Sequence, residues 1–511
     1  MERWNVGTLE RWNVGTYNEH MFNYSFWADE AYISGIASQL VAGKYSLFQA
    51  FDALSYQRLY ILVISLFFKL FGVSEFVARL PSMIAFVIGI GIIFLLAKKM
   101  SGVYGGLISA FLYAFSHLNL AYATMARPYS ILETIALLIL YLLTEKKTNH
   151  LLIILLCIIA TLLHSIGVMI WGVYFVYLVL RLKSSKVKKL GLSNLQTLKP
   201  SNLQTLKPSN YLNLIVFICI GYFLILPIAS SSLGGGLFPY NNSYQSVKLF
   251  TYKYSFILVS AFFGFIWSFK KNRNLNLAIL FYSAVVFFMA TFRAYIFNIR
   301  YVLSLFGIMF LYFGIFWAKV GEKYENSFKV IRFKGLKVTG KAIVPLSVII
   351  LMYVTGYKIV RFPQTYYNPN IDKYGDVQIA NYKDFYGELK KRFPDYKNLY
   401  VVNDTFDVEY WYFGRYSNTY FMKFTKKPYK HHTANAMIYG SLADFKKIVK
   451  KYRRGLLIIE DWQSFVPDDV KEYAKKNLKL EFRVESLKEA PDDPWPLALY
   501  SWGMEPKVLK F

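Results

Sequence analysis

LPSMIAFVIGIGIIFLL, residues 80–96, is an uncharged apolar run close to the length that crosses a bilayer as a helix. It ends at Lys98 and Lys99, and comparable runs recur at Leu214–Ala229 and Ala342–Tyr357. A chain of 511 residues would ordinarily be read as a few soluble domains, but 55% of this one is hydrophobic and the apolar runs fill its first two-thirds. The sequence therefore reads as a polytopic α-helical membrane protein. About ten spanning helices are expected, near 79–97, 104–121, 130–144, 150–163, 165–181, 211–228, 251–268, 275–290, 300–318 and 342–358. The segment 59–71 is short and carries Lys69, so it is expected to lie at the membrane interface. Residues 29–42 read as an amphipathic helix.

Charge sets the expected orientation. The chain holds 59 Lys and Arg against 31 Asp and Glu, a formal net charge of +28. The basic residues gather in alternate loops, at 98–99, 145–149, 181–210, 270–273 and 319–341. Such loops face the cytoplasm. That pattern accounts for the charge without nucleic acid. It places residues 1–78, and everything after Tyr357, outside the cell membrane. From Phe362 the texture changes to short strand-length runs, Leu399–Val402 and Leu456–Ile459. Between them come helical patterns at 382–393, 442–452 and 470–478. This predicts a C-terminal extracytoplasmic α/β domain. The expected divisions are residues 1–78, 79–361 and 362–511. Three N-x-[ST] sequons, at Asn23, Asn241 and Asn403, fall on segments assigned to the outside.

Some features carry no function. Cys157 and Cys219 lie in apolar segments without disulfide or metal spacing. The opening residues do not read as a signal peptide. Two octamers are duplicated in tandem, at 2–17 and 193–208, and the period is too short for a solenoid.

Chemistry concentrates in FWADEAY, residues 26–32. Asp29 and Glu30 are adjacent carboxylates in a basic, apolar chain. Taken alone they fit two roles, capping the helix that follows or activating a nucleophile. Five stretches, in this order, resemble the glycosyltransferase C superfamily: WADEA (27–31), LFGVSEFVARLPS (70–82), ARPYS (126–130), LLHS (162–165) and IRYVL (299–303). Within it they are most similar to the protein O-mannosyltransferases and lipid A aminoarabinose transferases. The resemblance implies a membrane enzyme that moves a sugar, a mannose-like hexose or a pentose, from a polyprenyl-phosphate donor. The acceptor would be a glycan, lipid or protein on the external face, and the anomeric carbon would invert. It implies Asp29 as general base, with Glu30 orienting the loop or holding Mg or Mn together with Asp29. Arg58, Arg127, Tyr129, His164, Arg300 and Tyr301 are the expected contacts to lipid phosphate or acceptor. Glu133 is expected to be structural. Two departures stand out: residues 1–25 are polar where the family has a helix, and Tyr56-Gln57-Arg58 replaces a proline-containing element. Two other readings are a transporter of lipid-linked sugars and a membrane receptor that binds glycans. The first is disfavoured by the absence of two related halves.

Overall fold

The computed structural model describes residues 25–53, 57–189, 241, 243–244, 247, 250, 254–293, 299–325, 331–333, 336–338, 380–431, 434–460, 464–485 and 496–504. The expected spans 211–228 and 342–358, both duplicated octamers and the Asn23 sequon lie outside these residues.

Three helices open the described chain: α1 (Ala28–Val41), α2 (Leu47–Ala53) and α3 (Arg58–Phe71). Helix α1 was expected to be amphipathic. It is instead enclosed, burying Glu30, Ala31, Ile33, Ser34, Gly35, Ile36, Ala37 and Gln39. The reason is that it packs against α3 on one side and the C-terminal domain on another. Helix α3 is two-faced. Tyr60, Ile61, Ile64 and Phe68 are buried, while Leu66, Leu70 and Phe71 stay exposed, as an interfacial helix requires.

The apolar helices follow: α4 (Glu75–Ser101), α5 (Val103–Phe115), α6 (His117–Ala123), α7 (Tyr129–Leu143), α8 (His150–Leu163), α9 (Ile170–Lys189), α10 (Ser255–Phe269), α11 (Arg273–Phe288) and α12 (Leu303–Glu325). Among the described residues, segments 75–101, 273–292 and 299–323 are long and apolar enough to cross a membrane, and five further apolar helices are shorter. Helix α4 starts earlier than expected because Ser74 caps it, its side chain accepting from Val77 N–H. The expected helix 104–121 is broken at Ser116, whose hydroxyl caps α6 by accepting from Asn119 N–H. Lys99 pairs with Glu145 at 2.7 Å and Arg181 donates to Thr148 at 2.9 Å. Three loops expected on the cytoplasmic side thus meet on one side of the bundle. This chain is an integral membrane protein.

Glu133 has the expected structural role. Buried within the bundle, it accepts from the Tyr113 hydroxyl on α5 and from Gly307 N–H on α12, both at 3.1 Å.

A two-stranded ribbon, β1 (Ile331–Phe333) and β2 (Leu336–Val338), follows α12. The C-terminal domain contains α13 (Tyr382–Arg392), β3 (Tyr400–Asn403), α14 (Glu409–Tyr412), β4 (Thr419–Phe421), β5 (Tyr429–Lys430), β6 (Met437–Tyr439), α15 (Leu442–Lys451), β7 (Gly455–Glu460), α16 (Asp468–Asn477), β8 (Lys479–Val484) and β9 (Leu497–Trp502). Its sheet has the order β5-β6-β4-β3-β7-β9-β8, with β6, β4, β3 and β7 parallel and the rest antiparallel. Alternation along the strands feeds two cores. Val401, Leu456 and Ile458 join the cluster shared with α13, α14 and the membrane helices, while Val402, Leu457 and Ile459 pack with α15 and α16. The Asn403 sequon is not available to a modifying enzyme in the folded chain. Its side chain is buried in β3 and donates to Tyr386 and Glu409.

Candidate active site

The site begins with the start of α1. Trp27 is the capping residue, and Glu30 reaches back to accept from Trp27 N–H at 3.0 Å. Both carboxylates sit in the first turn, where the helix dipole favours them. From there they diverge.

Glu30 turns into the protein. Its Oε1 accepts from Arg79 Nε at 3.2 Å and from Ala126 N–H at 2.6 Å, and both side chains of the Arg79–Glu30 pair are fully buried. Arg79 lies one turn along α4 from Glu75. Three residues later, Ser82 donates to the Arg127 carbonyl at 2.6 Å and shares a hydrogen bond with the Tyr60 hydroxyl. Glu30, held by Arg79, and Ser82 therefore clamp the turn between α6 and α7 from both sides, through the amide of Ala126 and the carbonyl of Arg127. The spacing of Arg and Ser in ARLPS is the spacing this clamp needs. Arg79, Ser82 and Tyr60 were not assigned roles from sequence, although the first two stand in the quoted motif.

Asp29 points the other way, to a partly open site. Its Oδ2 meets Arg127 at 2.5 Å and Arg300 at 3.2 Å. Arg127 follows in the clamped turn, and Arg300 sits in the short 3₁₀ turn Ile299–Val302 that leads into α12. The aromatic residues complete the surround. Arg127 donates to the Tyr129 hydroxyl at 3.2 Å. The Arg300 guanidinium lies 6.0 Å from the Tyr129 ring and 5.2 Å from the Tyr301 ring. The His164 ring is 5.4 Å from that of Tyr129. Burial alone would raise the Asp29 carboxyl, but Arg127 and Arg300 outweigh it and hold it below the usual range. At the turn after α8, burial and then the two guanidinium groups push the His164 imidazole down to about 3. The ring is neutral, and its Nδ1 accepts from Ile166 N–H, so its proton is on Nε2.

Asp29, Arg127, Tyr129, His164, Arg300 and Tyr301, spread over more than 270 residues, are thus brought together in one place. Arg58 is not with them. It is exposed at the start of α3, and no ion pair or hydrogen bond joins it to the group. Glu30 is corrected as a metal ligand, because its oxygens are taken by N–H donors in a fully buried pocket. Among the described residues no three His, Cys, Asp or Glu side chains converge. Two guanidinium groups meet the same Asp29 oxygen. These residues do not fit Mg or Mn.

The C-terminal domain takes part in the surround. Phe406 lies edge-on to Tyr32 of α1, with centroids 6.3 Å apart, and Tyr410 covers Gly35. Beside Phe406, burial and then the negative charge of Asp29 push the Asp407 carboxyl up to about 7. The domain is docked directly on α1, the helix that carries Asp29.

The sequence model of the family described as dolichyl-phosphate-mannose-protein mannosyltransferase matches residues 59–195. Among curated proteins none matches the chain. Solved structures do. ArnT from Cupriavidus metallidurans in the apo state superposes with a TM-score of 0.53 at 10% identity, covering 97% of this chain and 96% of that one. ArnT bound to undecaprenyl phosphate gives 0.50 at 11% identity over 94% and 95%. The Archaeoglobus fulgidus oligosaccharyltransferase tethered with an acceptor peptide gives 0.50 at 10% identity, covering 86% of this chain and 65% of that one. A superposition that runs through both the membrane helices and the C-terminal domain, over a site assembled from the five motifs, means that this chain has the glycosyltransferase C fold.

Proposed function

We propose that the chain is a membrane glycosyltransferase that moves a sugar from a polyprenyl-phosphate donor to an acceptor on the extracytoplasmic face, with inversion. The observation that carries this reading is a single carboxylate, Asp29, held by two arginines that converge from distant parts of the chain. The likeness to ArnT bound to undecaprenyl phosphate supports the donor class, and the likeness to an oligosaccharyltransferase tethered to a peptide supports transfer to an external acceptor. Mannose is the first sugar to test.

The geometry gives an order of events. In the free site Asp29 neutralises Arg127 and Arg300. A donor phosphate would compete for the same guanidinium groups, which favour planar, bidentate oxyanions. As they turn to phosphate their hold on Asp29 weakens, and its basicity rises. Donor binding would thereby prepare the base. The acceptor hydroxyl then attacks the anomeric carbon, its proton passes to Asp29, and the sugar–oxygen bond breaks with its electron pair going to the phosphate. Arg127 and Arg300 stabilise the charge that develops there. Tyr129, Tyr301 and neutral His164 shape the space around the sugar.

Purified protein incubated with radiolabelled polyprenyl-phosphate sugars and a membrane extract should label a component of the extract. Arg127→Ala and Arg300→Ala should each reduce donor use by roughly tenfold to a hundredfold. No labelling with any donor, or unchanged donor kinetics in both variants, would reject the reading. For sidedness, a Cys at Ser441 should react with an impermeant thiol reagent in intact cells. A Cys at Lys146 should not.

A further inference from the structure

We propose that Tyr412, on the C-terminal domain, is a positioning residue for the transfer reaction, holding the segment that carries Asp29. The inference rests on the glycosyltransferase reading and gives the C-terminal domain a part in it. The Tyr412 hydroxyl accepts from Phe26 N–H at 2.5 Å and donates to Glu75 Oε1 at 2.7 Å. Phe26 lies just outside α1, three residues before Asp29. Glu75 is the first residue of α4, one turn before Arg79. One hydroxyl therefore ties together the starts of the two helices whose Glu30–Arg79 pair clamps the Arg127 turn.

The hydroxyl is itself held firmly. The Tyr412 ring is stacked on Tyr382 and Tyr386 of its own domain, with centroids 6.4 and 6.3 Å away, and is buried. The other Glu75 oxygen takes Lys383 at 3.1 Å, and Trp411 packs on Phe26 at 5.0 Å. The backbone of the catalytic segment is thus fixed from two directions, by Glu30 at Trp27 N–H and by Tyr412 at Phe26 N–H. Rates of oriented reactions are sensitive to shifts on the order of 1 Å, and the start of α1 sets where Asp29 meets Arg127 and Arg300.

Tyr412→Phe in the full-length purified protein removes the hydroxyl and keeps the ring between its neighbours. Two readouts test the proposal. Hydrogen exchange of residues 25–34 needs no substrate and should rise clearly above wild type. Sugar release from a polyprenyl-phosphate mannose should show kcat lowered by about tenfold or more with the donor KM within about twofold, since the arginines are untouched. Unchanged exchange overturns the proposal, and so does a kcat per folded molecule equal to wild type, even where the variant is less stable. If the wild type itself releases no sugar, the functional reading fails. The exchange result still decides whether Tyr412 holds the segment.

Discussion

Glu30 and Asp29 are chemically similar neighbours with opposite fates, and burial explains why. Glu30 is fully enclosed, and its charge is balanced by Arg79 and by two backbone N–H groups. Breaking one side of a buried ion pair leaves an uncompensated charge and costs about 3–5 kcal/mol. Glu30→Gln should therefore lower stability by a few kcal/mol, and activity with it, because the Arg127 turn loses its clamp. Adding Mg or Mn should not restore either. Combining Glu30→Gln with Arg79→Met should recover part of the lost stability, which thermal unfolding would show. Rescue by metal would contradict the structural role. Asp29, by contrast, is more than a third exposed. It is available to a substrate, while its neighbour is spent on architecture.

At the scale of elements, helix packing depends on small residues where backbones approach. A Cβ added at Gly264 of α10 would fall 1.9 Å from the carbonyl oxygen of Tyr312 on α12, and one at Gly314 would fall 2.6 Å from the carbonyl of Gly105 on α5. Backbone cannot yield as a side-chain tip does. Gly264→Ala should push α10 away from α12 and cost about 2 kcal/mol or more, read as a fall in the midpoint of thermal unfolding. A variant as stable as wild type would show that the helices are not so closely seated. The apolar helices themselves were legible in the sequence, because a bilayer demands long uncharged runs. The α13, α15, α16, β3 and β7 patterns were legible too. Helix ends at Ser74 and Ser116 were not, since a single capping hydroxyl is a weak signal inside a hydrophobic stretch. Nor was the enclosure of α1, which depends on Tyr410 and Trp411 some 370 residues downstream. The same limit explains Arg58. A basic residue near an outer helix end fits the pattern, and only three-dimensional placement shows it turned to solvent.

For the whole molecule, the central feature is the seating of the C-terminal domain on the helix that carries Asp29. Asp407 offers a pH test of that seating. Its carboxyl is pushed up to about 7 by burial and by Asp29, against an ordinary value near 3.8. A folded state that favours the protonated acid loses stability as pH rises from about 4 to about 7, and the penalty is complete above that. Asp407→Asn has no charge to suppress. Its stability relative to wild type should therefore increase by about 1 kcal/mol or more between pH 5 and pH 8. A pH-independent difference would mean that Asp407 is not enclosed at this junction. The motifs picked out the residues that converge around Asp29, because charge is conspicuous in an apolar chain. The docking surface is aromatic and gave no comparable signal.

The most direct test compares Asp29→Asn with wild type in sugar transfer from a polyprenyl-phosphate donor, with thermal stability measured alongside. Asn keeps the size and capping ability of Asp and removes the proton acceptor. The structure predicts a protein that folds and inserts nearly normally and transfers sugar about 10²–10⁴-fold more slowly. A stable Asp29→Asn protein with wild-type transfer would contradict the account, leaving Asp29 as a helix cap and the two arginines as its partners.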